Sequence, residues 1–172
     1  MQPTEDNVKN TQLADIRQFT RHGNVAMIKA IVEKFQVTNV TNILGTEKEA
    51  FKVETMKFES SSLNPILLAV LFKQPEVLTY FLKNTKYHTK TAIKYPYEVC
   101  RDDRARVPPV DKNRAEAFPL LLAAKSDDPA SFKTLWELKG VWHDAHLRLV
   151  AQFVVDIGFV KGLAILFGAD AG

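Results

Sequence analysis

A chain of 172 residues, 46% hydrophobic and 25% charged, can bury a core and has the make-up of one globular domain or a short array. The net charge of +3 is too small to argue by itself for nucleic acid or a membrane. The single cysteine, Cys100, excludes an intramolecular disulfide and points to the cytoplasm or another reducing compartment.

Residues 1–12 (MQPTEDNVKNTQ) read as a polar N-terminal tail. No basic region followed by an apolar core is visible there, so no secretory signal is expected, and the sequon Asn39-Val40-Thr41 carries no weight. Residues 13–172 are expected to form one repeat domain. Three segments align without gaps: residues 14–33 (ADIRQFTRHGNVAMIKAIVE), 64–83 (NPILLAVLFKQPEVLTYFLK) and 118–137 (FPLLLAAKSDDPASFKTLWE). Each reads as helix, short turn, helix.

In the first hairpin, about 14–35, Ile16 and Phe19 precede a His22-Gly23-Asn24 turn, and Val25, Ile28 and Ile31 follow it. In the second, about 64–83, Asn64 is placed to cap a helix that Pro65 opens, Lys73-Gln74 turns the chain, and Pro75 opens the return helix. The third, about 118–138, repeats the device with Pro119, Asp127-Asp128 and Pro129. A weaker fourth copy covers about 147–167. Its apolar run, residues 149–167, approaches the length of a membrane span, but Gln152, Asp156 and Lys161 interrupt it. Two short buried helices joined at Asp156-Ile157-Gly158 explain it better, and no membrane partner is expected.

Two inserts separate the copies. In residues 36–63, the alternation Phe51-Lys52-Val53-Glu54 predicts a short strand or extended finger, and Ser60-Ser61-Ser62 a polar loop leading into a helix. The second insert, residues 84–117, is basic. Between Lys83 and Glu116 stand nine basic and five acidic residues, a net +4 that exceeds the +3 of the whole chain. Tyr87, Tyr95 and Tyr97 are interspersed.

The hairpins resemble the helical part of ankyrin repeats, whose pattern includes T-P-L-H-x-A. Pro65 and Pro119 match its Pro, Ile66 and Leu120 its Leu, Ala69 and Ala123 its Ala, and Gly23 and Gly158 its inter-helix Gly. Gly168-Ala169-Asp170-Ala171 is similar to its post-helix segment. Leu67 and Leu121 replace the family His, and the copies stand 50, 54 and 31 residues apart against a period of about 33. The resemblance implies an all-α fold: a short ankyrin-like helical-hairpin solenoid with long loop or β-finger inserts. It also implies a non-enzymatic protein-interaction scaffold or adaptor, a structural subunit of a larger assembly. By analogy that assembly could be ciliary or cytoskeletal.

In such a protein the inserts and the inner helices carry binding. The residues expected to contact a partner are Tyr97, Arg101, Arg104 and Arg106 on the second insert, with Lys73 and Lys125 near inter-helix turns. Phe153, Phe159 and Phe167 join them on a last hairpin that is apolar nearly all round and needs a cover: a further repeat, a partner or an insert folded back. The expected partner is a protein with an acidic surface facing the second insert. The alternative is an RNA-associated module using the same basic segment.

Chemistry has little to stand on. His143 and His146 are three apart, but no further ligand stands at recognisable zinc spacing, so no metal is assigned. Asp144 is expected to cap a helix, with both histidines partly exposed. Cys100 and His88 share the second insert, where a lone thiol reads as inert, and no phosphate-binding glycine loop exists. No catalytic residue, cofactor or small-molecule substrate is assigned.

Overall fold

The computed structural model describes residues 5–40, 43–46, 48–53, 56–85, 116–137 and 142–168. Among them are eight α-helices, one 3-10 turn and one β-hairpin, so the described chain is mostly helical. The helices are α1 (Glu5–His22), α2 (Val25–Phe35), α3 (Pro65–Leu71), α4 (Pro75–Asn84), α5 (Phe118–Lys125), α6 (Pro129–Trp136), α7 (Asp144–Ile157) and α8 (Val160–Leu166). The stretch expected to be a tail is therefore helical from Glu5 onward, and the fourth hairpin begins at Asp144, earlier than expected.

Consecutive helices pair as α1–α2, α3–α4, α5–α6 and α7–α8. The first members also pack on one another in chain order, α1 on α3, α3 on α5 and α5 on α7. The second members do the same, α2 on α4, α4 on α6 and α6 on α8. The result is two rows of helices with the apolar core between and within them.

One backbone device closes every pair. Gly23, Lys73, Asp127 and Gly158 all have left-handed backbone, at φ 71°, 54°, 53° and 73°. The next residue donates its N–H to the carbonyl five residues back: Asn24 to Phe19 (2.9 Å), Gln74 to Ala69 (2.8 Å), Asp128 to Ala123 (3.0 Å) and Phe159 to Val154 (2.8 Å). This is the Schellman ending of a helix, which satisfies carbonyls that the last turn leaves free. Glycine takes that conformation without strain in two of the four turns, while Lys73 and Asp127 adopt it against their side chains. The return helix then starts immediately. Asn24 Oδ1 accepts from the Met27 N–H (3.2 Å) and Asp128 Oδ1 from the Ser131 N–H (3.1 Å), while Pro75 and Pro129 open α4 and α6 with fixed φ. Asn64 caps α3 in the same manner, its Oδ1 accepting from the Leu67 N–H at 3.0 Å.

The middle of the row formed by the first members is apolar on every side. Residues Pro65 through Val70 of α3 and Phe118 through Ala124 of α5 are all buried, as a helix enclosed in a core must be. Pro65–Val70 and Phe118–Ala124 therefore present no exposed binding face. The largest wholly buried side chains include Phe81, Phe118 and Phe132, each worth about 1.5–3 kcal/mol in area removed from water.

The first insert forms the expected strand, β1 (Ala50–Val53), paired antiparallel with β2 (Met56–Glu59) in the register Phe51 opposite Phe58. The 3-10 turn Ser60–Ser62 then leads into α3. Ser60 and Ser62 are buried, so this serine loop is part of the packing. Arg17 on α1 anchors it. Its buried guanidinium donates to the carbonyls of Ile43 (3.1 Å), Ser60 (2.8 Å) and Leu63. Arg21 adds an ion pair to Glu49 (2.7 Å) and lies 4.4 Å above the Phe72 ring.

Candidate functional site

The four equivalent turns put the hairpins in a common register, in which Phe19, Ala69, Ala123 and Val154 correspond. One residue further on, Thr20, Val70 and Ala124 are 0%, 0% and 2% exposed, while Val155 is 55% exposed. At the position of Leu163, Ile28, Leu78 and Phe132 are wholly buried, and Leu163 is only partly so. At that of Gln152, Arg17, Leu67 and Leu121 are buried, and Gln152 is exposed. Each of the first three hairpins therefore has a face closed at these positions that the fourth leaves open. Val160 and Phe167, 74% and 65% exposed, extend that open face. Asp156 and Lys161 are exposed on the same hairpin, and Gln152 Nε2 donates to Asp156 Oδ1 at 2.9 Å.

Of the three phenylalanines expected on this face, only Phe167 is there. Phe153 and Phe159 are 5% exposed and belong to the core. Phe159 sits edge-on to Phe132, with ring centroids 5.5 Å apart, and its ring lies against Gly162, where any side chain would collide with it. An apolar run around a short helix leaves the direction of each ring open, and the packing of α8 on α6 decides it. Lys73 and Lys125 are exposed. Tyr97, Arg101, Arg104 and Arg106 lie outside the described residues, as do His88 and Cys100.

A second feature was not legible as a unit. Where α5 packs on α7, Glu116 meets His143 and His146. The cap of α7 is His143 rather than Asp144, and His146 is wholly buried rather than partly exposed. The His143 backbone N–H donates to His146 Nδ1 (3.2 Å), the two rings stack at 3.9 Å, and Trp142 stands edge-on to His146 at 5.6 Å. Trp142 is itself held by its Nε1–H donating to the Leu135 carbonyl at 2.7 Å. Glu116 Oε2 comes within 3.3 Å of His146 Nε2, close but out of line for a hydrogen bond. Burial pushes the His146 imidazole below the ordinary histidine range, and His143 pushes the same way against the opposing pull of Glu116. The pair His143/His146 was visible from spacing. Glu116 was not, since only the packing of two helices brings it near.

Comparison of the chain with protein-family models, with curated proteins and with solved structures gives no match. Among the described residues, no helix is long and apolar enough to cross a membrane.

Proposed function

We propose that this chain is a non-enzymatic protein–protein interaction scaffold or adaptor, an ankyrin-like helical-hairpin solenoid serving as a subunit of a larger assembly. The observation that carries this reading is the open face of the fourth hairpin. Val155 is 55% exposed at a position where Thr20, Val70 and Ala124 are closed off. Stacked hairpins gain their stability by covering one another's apolar faces, so an uncovered one is a place for another protein to dock. The solenoid reading is supported by four helix pairs that end in the same left-handed turn at the same register. The basic second insert, with Tyr97, Arg101, Arg104 and Arg106, is the second proposed contact, suited to an acidic protein surface.

The test is affinity purification from the native source with the unmodified chain and with a Val155→Lys/Phe167→Glu variant. Both positions are exposed, so an unchanged helical circular dichroism spectrum is expected. The reading requires that proteins retained by the first are lost from the second. Recovery of the same set by both removes the open face from the proposal. A parallel variant reversing Arg101, Arg104 and Arg106 examines the insert in the same way.

A further inference from the structure

His146 is wholly buried, yet its Nε2 makes no well-aligned hydrogen bond. The atom facing it, Glu116 Oε2, lies 3.3 Å away and off the line of the N–H. That separation is poor for a hydrogen bond but suits two donors sharing one ion. Ligands about 2.0–2.1 Å from a tetrahedral Zn²⁺ stand about 3.3–3.4 Å apart. A third donor is within reach, because ligand atoms of Glu116, His143 and His146 all lie within 4.8 Å of one another; the exposed His143 ring, stacked on His146 at 3.9 Å, turns to aim its nitrogen at the shared ion.

We propose that Glu116, His143 and His146 form a binding site for a divalent first-row transition-metal ion of the zinc class. Two imidazoles and one carboxylate are a borderline donor set, matched to such ions and poorly matched to Mg²⁺ or Ca²⁺, which prefer all-oxygen shells. His143 is exposed, so the ion has a path in from solvent, and a water completes the shell on that side. The N-terminal end of α7 carries partial positive charge that opposes a cation. The carboxylate of Glu116, only 7% exposed, offsets this, with Asp144 in the first turn of the helix. Coordination through Nε2 moves the His146 ring proton to Nδ1, where it faces the His143 N–H. The metal–nitrogen bond therefore replaces that hydrogen bond and requires the start of α7 to shift enough to part the two protons.

The experiment uses the full chain with Cys100→Ser and His88→Ala, which removes donors elsewhere. ZnCl₂ is titrated by calorimetry, and CoCl₂ by its visible absorption. One ion per chain is expected, with MgCl₂ silent. Substituting His143→Ala or Glu116→Gln is expected to weaken binding by about tenfold or more, the scale on which even outer-shell partners of metal sites act. His143 is exposed and outside the core, so the His143→Ala chain keeps its fold, and its result decides the matter even if the buried Glu116→Gln substitution unfolds the protein. Absence of zinc and cobalt binding, or a dissociation constant unchanged by His143→Ala, overturns the proposal.

Discussion

Arg17, on the first helix, donates to the carbonyl of Ser60 at 2.8 Å across 43 residues of sequence. The guanidinium is buried, and it also serves Ile43 and Leu63, so one side chain ties α1 to the end of the β-hairpin and the start of α3. Replacing it with Met keeps the bulk and removes the donors. Three backbone carbonyls then lose a charged partner, at a cost of about 2–4 kcal/mol. Urea denaturation followed by circular dichroism measures this. A loss below about 0.5 kcal/mol, the range of an ordinary surface change, would mean that the first insert is held by other contacts.

The inter-helix turns give a graded series. Gly158 has open space where a side chain would stand, so Gly158→Ala costs only the left-handed strain, about 1–2 kcal/mol. Gly23→Ala has the same strain and also collides with the carboxamide of Gln74, which donates to the Arg21 carbonyl at 3.0 Å. It should therefore lower stability further than Gly158→Ala. Lys73→Gly relieves strain and should be neutral or stabilising by up to about 1 kcal/mol. Midpoints from one denaturation series test the order, and a stabilising Gly23→Ala would contradict the turn geometry.

These turns also show what could be read in advance. Proline at the start of a helix and glycine after one are local signals with local causes, so the bounds of α3, α4 and α6 were legible from Asn64, Pro65, Pro75 and Pro129. Lys73-Gln74 and Asp127-Asp128 were legible as turns, but their left-handed backbone was not, because lysine does not advertise it and aspartate does so only weakly. Long-range features were harder. Nothing in the neighbours of Arg17 announced that its guanidinium meets three carbonyls from an insert. The two histidines were seen without Glu116, because side-by-side packing of α5 and α7 leaves no trace in spacing. The apolar all-round pattern of the fourth hairpin pointed to a face in need of a cover, and Val155, Val160 and Phe167 are exposed there, but Phe153 and Phe159 lie in the core.

In metal-free protein, held so with a chelator, His146 gives stability a definite pH dependence. Its neutral ring accepts the His143 N–H at Nδ1, and protonating that nitrogen sets a proton against a proton. The folded chain therefore prefers the neutral form, in line with the lowered pKa that burial and His143 produce. The unfolded chain takes up this proton near 6.5. Between that value and the lower folded one, the unfolded state binds more protons, so stability rises with pH. The contribution is complete above about pH 6.5 and declines as the pH drops toward the folded value. Denaturation midpoints at several pH values measure the slope, and His146→Asn, which cannot titrate, should flatten it. An equal slope in that variant would assign the effect to other groups.

The open face makes a prediction that needs no partner. Lysine placed at the same register position of each hairpin meets either a closed interface or solvent. Val70→Lys and Ala124→Lys bury an unpaired ammonium between stacked helices, a loss of several kcal/mol that should unfold the chain or leave it marginal. Val155→Lys, at the equivalent position of the fourth hairpin, should change stability by less than about 0.5 kcal/mol. Chemical denaturation of the three variants at one concentration makes the comparison. The contrast isolates position, since the introduced lysine and the left-handed turn that follows are the same in all three. A Val155→Lys chain as damaged as Val70→Lys would mean that something in this chain already covers the fourth hairpin, and the site proposed for another protein would be lost with it.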